Sequence, residues 1–278
     1  METSRNQTST RRVQTTRADD SRIPASVDVL IPTLKGLKSE FIEHVRSRIP
    51  VHCLLTSSVP GPARARQELM ERVDTDWFGF IDDDVSLRPE WWSTVTGMIG
   101  PDVGAVEGLW SYLAGDRRVH DYTKAMTRLA ELSGRESWTD RIDRAFTGDT
   151  LVRTKAVQGI RMPNIPVWED EYIRMWVQKN GYRWLRTPKV VCDHLRRYNL
   201  RLAYETGKYG YYLGRLSLKG QLRRVAQLPI KVLFSLAYTR NLRTGSFAIE
   251  KDLKIFKGVL HGYVQRNGGS PLYRLSQT

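Results

Sequence analysis

Cysteine is scarce in this chain. Cys53 and Cys192 are the whole supply in 278 residues, so a disulfide framework is excluded as the source of stability. Both fall in apolar, strand-like runs and are expected to be buried small side chains in a reducing compartment. Long apolar runs are missing as well, since no stretch reaches the roughly 18–20 apolar residues that span a bilayer. The first residues are rich in Ser, Thr, Gln and Arg, without the apolar core of a secretory signal. Acidic residues are lacking only in the last third. Residues 183–278 carry 19 Lys and Arg against 4 Asp and Glu, whereas residues 1–182 carry 25 against 26. The net charge of +14 therefore resides in the carboxyl-terminal part, which should face something anionic: substrate phosphates, a membrane surface or nucleic acid.

What is present suits a globular enzyme-sized domain. The hydrophobic fraction is 40%, ordinary for a folded chain with a core of its own. Residues 1–24 have the composition of a disordered tail. Val27–Ile31 is a β-branched run closed by Pro32-Thr33, the first expected strand. A helical pattern runs through Leu37, Phe41, Ile42 and Val45, then Val51–Thr56 is a second strand. A Ser/Pro/Gly loop follows, then a helix over 63–73 and a third strand at Trp77–Ile81. Strand, helix, strand, helix, strand predicts a doubly wound sheet with helices on both faces. Further strands are expected at 103–109, 149–152, 183–185 and 189–192. Helices are expected after Pro89, near 122–132 and over 169–180, the last stopped by Gly181. From Leu200 onward the pattern is helical and basic.

Asp82-Asp83-Asp84 closes the apolar run Trp77-Phe78-Gly79-Phe80-Ile81. Each carboxylate is costly to desolvate without a partner, so three in a row at a buried strand's end are not there for packing. At the carboxyl end of a strand they can reach the crevice where open α/β sheets bind ligands. On extended backbone Asp82 and Asp84 share a face. Two such carboxylates suit Mg²⁺ or Mn²⁺, whose shell is completed by substrate phosphates.

Four segments, in order, carry a resemblance. They are Val27–Thr33, then Ala63-Arg64-Ala65-Arg66-Gln67 leading into Phe80–Asp84, then Gly148-Asp149-Thr150-Leu151-Val152-Arg153. The fourth is Trp168-Glu169-Asp170-Glu171-Tyr172, followed by Arg174, Gly181-Tyr182, Pro188 and His194. Together they resemble the family 2 glycosyltransferases of the GT-A fold, over about Val27 to His194. The resemblance implies an α/β, Rossmann-like doubly wound mixed sheet at 25–196, followed by a helical region at 197–278. It implies transfer of a sugar from a nucleotide-sugar (UDP-, GDP- or dTDP-linked) to an acceptor hydroxyl, with inversion, and a Mn²⁺ or Mg²⁺ cofactor.

Residue by residue, the resemblance places the metal on Asp82, Asp84 and His194. The base falls in Glu169-Asp170, with Asp170 preferred. Glu171 stays open as a substitute, because Tyr172 stands where some relatives carry a second acid. Pro32, Thr33, Ser57, Arg66, Asp82 and Asp83 are expected at the nucleotide-sugar. Ser57-Ser58 stand where the family often has an acid. Asp149 and Trp168 are expected at the acceptor, Trp168 by stacking on a sugar ring.

In the basic third, Gln227–Tyr238 is apolar but too short to span a bilayer, and it suits an in-plane segment. With its tyrosines, Lys and Arg it is expected to hold the protein at the inner face of the cell membrane, near a lipid-linked or cell-surface glycan acceptor. Two rival readings are a basic nucleic-acid-binding protein and a metal-dependent sugar nucleotidyltransferase. The acidic clusters at 82–84 and 169–171 speak against the first. The lack of a Gly-rich phosphate loop near the first strand speaks against the second.

Overall fold

A computed structural model describes residues 23–111, 115–134 and 144–267; the expected tail at 1–24 lies almost wholly outside them. The elements run β1 (Val27–Pro32), α1 (Ser39–Arg46), β2 (Val51–Ser57), α2 (Pro62–Met70), β3 (Trp77–Ile81), β4 (Val85–Ser86), α3 (Trp91–Thr96), β5 (Val103–Ser111) and α4 (Arg117–Leu132). There follow β6 (Asp149–Arg153), α5 (Glu169–Lys179), β7 (Arg183–His194), α6 (Leu202–Tyr212), α7 (Leu218–Ala226), α8 (Leu228–Thr239) and α9 (Leu242–Asn267). The strands form one seven-stranded sheet in the order β2-β1-β3-β6-β5-β7-β4. It is mixed: β1 is parallel to β2 and β3, β6 is antiparallel to β3 and β5, β5 is parallel to β7, and β4 is antiparallel to β7.

The sheet is wound on both faces, and the strand period of two says why. Val27, Val29 and Ile31 pack with Val45 of α1 and with Trp91 and Val95 of α3. Leu30, Phe78 and Phe80 point the other way, onto Leu69 of α2 and Ile173 and Val177 of α5. Two layers of apolar side chains therefore enclose the sheet, and its strand ends carry the polar residues.

Three expectations change. The two short strands at 183–185 and 189–192 are one strand, β7, whose pairing with β5 shifts register between Glu107 and Leu109. Pro188 lies in that irregular stretch, where a residue without a backbone N–H is tolerated. Cys53 is exposed, because β2 is an edge strand and its residues 52 and 53 face solvent. Cys192 is buried as expected. The acidic run does not continue β3. Val85 N donates to Asp82 O at 3.1 Å, so Asp82–Asp84 form a turn into β4.

The carboxyl-terminal helices fold against α4 and one another. Tyr122, Ala125 and Met126 of α4 pack with Phe247 and Ala248 of α9. Helices α6 and α9 cross with their backbones in contact: a Cβ on Gly207 would lie 2.0 Å from Ile255 O, and one on Gly258 would lie 2.0 Å from Tyr204 O. No described helix is long and apolar enough to cross a membrane.

Candidate active site

The ends of β1, β2 and β3 open onto the acidic turn. Thr33 leaves β1 and donates its hydroxyl to Asp83 Oδ2 at 2.7 Å. Its backbone N–H donates to Ser57 O at 2.9 Å, which joins the end of β1 to the end of β2. Ser57 in turn donates its hydroxyl to Glu68 Oε2 of α2 at 2.7 Å. Thr33, Ser57 and Asp83 are thus brought together, with Pro32 next to Thr33 at the end of β1. Glu68 was not legible in the sequence. It supplies a carboxylate at the end of β2, where Ser57-Ser58 had suggested none.

Asp82 and Asp84 part company on the turn. Asp82 accepts from Arg66 Nη2 at 3.0 Å. Asp84 faces His194 Nε2 at 3.6 Å and Arg196 Nε at 3.2 Å, both from its Oδ2. The approach of His194 has a backbone cause. Val85 of β4 is registered opposite His194 of β7, and Leu195 N donates to Asp84 O at 2.7 Å. Arg196 also donates to Asp83 Oδ1 at 2.7 Å. Burial pushes the Asp84 carboxyl up; His194 pulls it back, and Asp82 adds to the rise. Among the described residues no three His, Cys, Asp or Glu side chains cluster tightly enough to hold a metal by themselves. Asp84 and His194 are a carboxylate and an imidazole converging on one point, with two more carboxylates adjacent. That donor set fits an ion whose remaining ligands come from phosphates and water.

The second acidic cluster opens α5. Trp168 caps it with a left-handed backbone, φ 73°, and aims Glu169, Asp170 and Glu171 in three directions. Glu169 Oε1 accepts from Arg66 Nη1 at 2.7 Å. Asp170 Oδ1 accepts from Glu171 N at 2.8 Å and faces Arg144 Nη2 at 3.6 Å. Glu171 is fully buried, paired with Arg174 at 2.7 Å and Arg215 at 2.9 Å, and bonded by Ala145 N at 3.0 Å. Glu171 is therefore held in place from three sides, by two arginines and a backbone N–H. Burial pushes the Glu169 carboxyl up to about 7, with Arg66 opposing and Asp170 adding.

Arg66 is where the two clusters meet. It is buried, with its guanidinium shared between Asp82 and Glu169 and set over the Phe80 ring. Burial works against its charge, but Asp82 and Glu169 outweigh it and raise its pKa. A direct contact of Arg66 with a diphosphate is not what this arrangement offers; the side chain is committed to holding the acids.

Both residues expected at the acceptor are buried. Asp149 is fully buried at the start of β6, with the Cys192 thiol beside its carboxyl. A Cβ on Gly108 would lie 2.2 Å from its Oδ2. Burial pushes its carboxyl well up, and the neighbouring Glu107 adds to that. Trp168 is buried among Ile165, Val167 and Tyr209. Its indole N–H donates to Thr206 O at 2.8 Å, and the Arg144 guanidinium lies 4.3 Å over its ring. Trp168 joins α5 to α6; it has no open face for a sugar.

No protein-family model matches the chain, and no curated protein is significantly similar to it in sequence. Solved structures do align with it. One is the mannosyltransferase PcManGT from Pyrobaculum calidifontis in complex with GDP-Man and Mn²⁺, at 12% identity and a TM-score of 0.48. The alignment covers 92% of this chain and 84% of that one. Another is glucosyl-3-phosphoglycerate synthase from Mycobacterium tuberculosis in complex with Mg²⁺ and UDP. There the identity is 13%, the TM-score 0.48, and the coverage 70% of this chain and 80% of that one.

Proposed function

We propose that the protein is an inverting glycosyltransferase that moves a sugar from a nucleotide-sugar to an acceptor hydroxyl. The observation that carries this reading is the Arg66 bridge. It sets the acidic turn at the end of β3 beside the acidic head of α5, so a site for a diphosphate-bound cation adjoins a carboxylate able to take a proton. Thr33, Arg66, Gly148 and Glu169, one residue from each of the four segments that resemble family 2 glycosyltransferases, contact the turn or the bridge, which supports this reading.

In this reading Pro32, Thr33, Ser57 and Asp83 receive the nucleoside. Asp84 and His194 hold Mn²⁺ or Mg²⁺, with Asp82 adjacent. When bound there, such an ion would neutralise charge on the diphosphate. Arg196, already on Asp83 and Asp84, adds a cation beside the leaving group. Asp170 accepts the acceptor hydroxyl's proton as the acceptor oxygen bonds to the anomeric carbon. The carbon–oxygen bond to the diphosphate breaks in the same step, and its electron pair departs with the nucleoside diphosphate. Glu169 does not touch the reacting atoms; it positions the site through Arg66. The acceptor is a lipid-linked or cell-surface glycan, met at the inner face of the cell membrane through the basic carboxyl-terminal helices.

Two measurements test this. Calorimetric titration with UDP, GDP and dTDP, with and without Mn²⁺, should find one nucleotide whose binding needs the metal and is lost in Asp84→Ala. No metal-dependent binding of any of them would reject the reading. Anomer-resolved NMR of the product should show inversion; retention would reject the single displacement.

A further inference from the structure

Helix α8 leaves one aliphatic face in water. Its inner face buries Leu228 with Lys231, 6% exposed, and Ser235, 0% exposed, and packs Val232 toward α4 and α9, whereas Ile230 and Leu233 are 62% and 67% exposed. Ile230, Leu233 and Ala237 are spaced three and four apart, so they share one face, and Ala237 is exposed too. A helix in water ordinarily keeps its polar residues on that outer face.

Lys231 is fixed from inside the fold. Lys231 Nζ donates to Asp252 Oδ2 of α9 at 3.0 Å, and Arg224 Nε of α7 donates to Asp252 Oδ1 at 2.9 Å. Turning α8 to bury Ile230 and Leu233 would take Lys231 from the fully buried Asp252 and leave it Arg224 alone, a cost of the same order as the gain from burying two aliphatic side chains. The Lys231–Asp252 pair holds α8 in the rotation that leaves Ile230 and Leu233 outward. The flanking helices continue the pattern with exposed Leu222 on α7 and Leu242 at the start of α9. Single exposed apolar residues are ordinary; a set grouped on one helix face marks a contact surface.

Charge selects what the surface meets. Lys219, Arg223, Arg240 and Arg243 are exposed around it. Residues 218–267 carry ten Lys and Arg against Glu250 and Asp252 alone, and Asp252 is used inside. An apolar face with a basic rim, on a helix of 12 residues, suits insertion parallel to a headgroup layer. We propose that the outer face of α8, with Leu222 and Leu242, docks into an anionic lipid bilayer surface. This deepens the reading of a lipid-linked acceptor, but it can be tested without sugar transfer.

The test uses the full chain and sedimentation with vesicles of phosphatidylcholine alone or doped with phosphatidylserine. The wild type should bind the doped vesicles, less so at high salt, and not the neutral ones. Ile230→Asp/Leu233→Asp and Arg240→Gln/Arg243→Gln should each lower the partition by about tenfold or more. All four side chains are exposed, so circular dichroism should be unchanged. Asp84→Ala should bind vesicles as the wild type does, which separates failure here from failure of the catalytic reading. Absence of wild-type binding, or undiminished binding by Ile230→Asp/Leu233→Asp, overturns the proposal. So does a dimer that this variant splits without any vesicle binding, which would give the face to a second copy. Binding of a single-stranded oligonucleotide in place of vesicles would overturn it too.

Discussion

Arg66 Nη1 lies 2.7 Å from Glu169 Oε1 across 103 positions of sequence, and the same guanidinium reaches Asp82. One buried cation thus holds the acidic turn after β3 against the head of α5. Arg66→Ala would leave two carboxylates facing each other in a poorly solvated place, and should cost about 3 kcal/mol of stability or more. Arg66→Lys keeps the charge but lacks the planar fork that serves two acids at once, and should recover only part of that loss. Urea denaturation of both variants checks the order.

Glu171 latches the sheet domain to the carboxyl-terminal helices, because Arg215 Nε reaches it from the turn between α6 and α7 at 2.9 Å. A double-mutant cycle with Glu171→Gln and Arg215→Gln should give a coupling of about 1–3 kcal/mol. A value near zero would mean that the Glu171–Arg215 pair does not help to hold the helices.

The crossing of α6 and α9 depends on glycine. Gly207→Ala or Gly258→Ala would drive a methyl group into the opposing helix backbone, where no side chain can yield. Each should destabilise the protein by about 2 kcal/mol. Gly214 lies at φ 68° with open space around it, so Gly214→Asn, a residue that tolerates the left-handed region, should cost much less. Thermal denaturation of the three variants reads the difference.

Asp149 and Glu107 give the fold a pH dependence of defined sign. Burial pushes Glu107 up to about 7, opposed by Arg186, and pushes Asp149 higher than its ordinary range as well. The folded protein keeps protons that the unfolded chain has already released. Stability from these groups is therefore complete below the ordinary carboxylate range and falls as pH rises toward neutrality, by about 3 kcal/mol for Glu107. Asp149→Asn removes one share of that loss, so its melting temperature should fall less than the wild type's between pH 5 and pH 8. An unchanged slope would contradict the placement of Asp149.

The order of elements from β1 through β3 and most of those up to β7 was legible from hydrophobic period and turn residues, because strands facing two cores leave runs such as Val27–Ile31 and Trp77–Ile81 apolar throughout; the two-residue β4 and the division of the last third into α6–α9 were not. The acidic clusters were legible too, since buried strand ends and helix starts seldom carry three acids. What each acid does was not. Glu171 differs from Asp170 only by where Arg174 and Arg215 arrive, and that is decided by tertiary packing. Trp168 and Asp149 read as acceptor contacts from their place beside the acidic motifs; tertiary packing buries both, which no local pattern shows. Arg196 carried a faint signal, a cation two residues past His194. Arg66 carried none that distinguished a bridge from a phosphate contact.

The central claim is tested most directly by a panel of nucleotide-sugars with Mn²⁺, scoring nucleoside diphosphate release by the wild type, Asp84→Ala and Asp170→Asn. Slow hydrolysis of the donor reports even before the acceptor is known. The account predicts release from one donor, lost in Asp84→Ala, and in Asp170→Asn a loss of transfer once an acceptor is supplied. No release from any donor, or release that Asp84→Ala leaves unchanged, would contradict it.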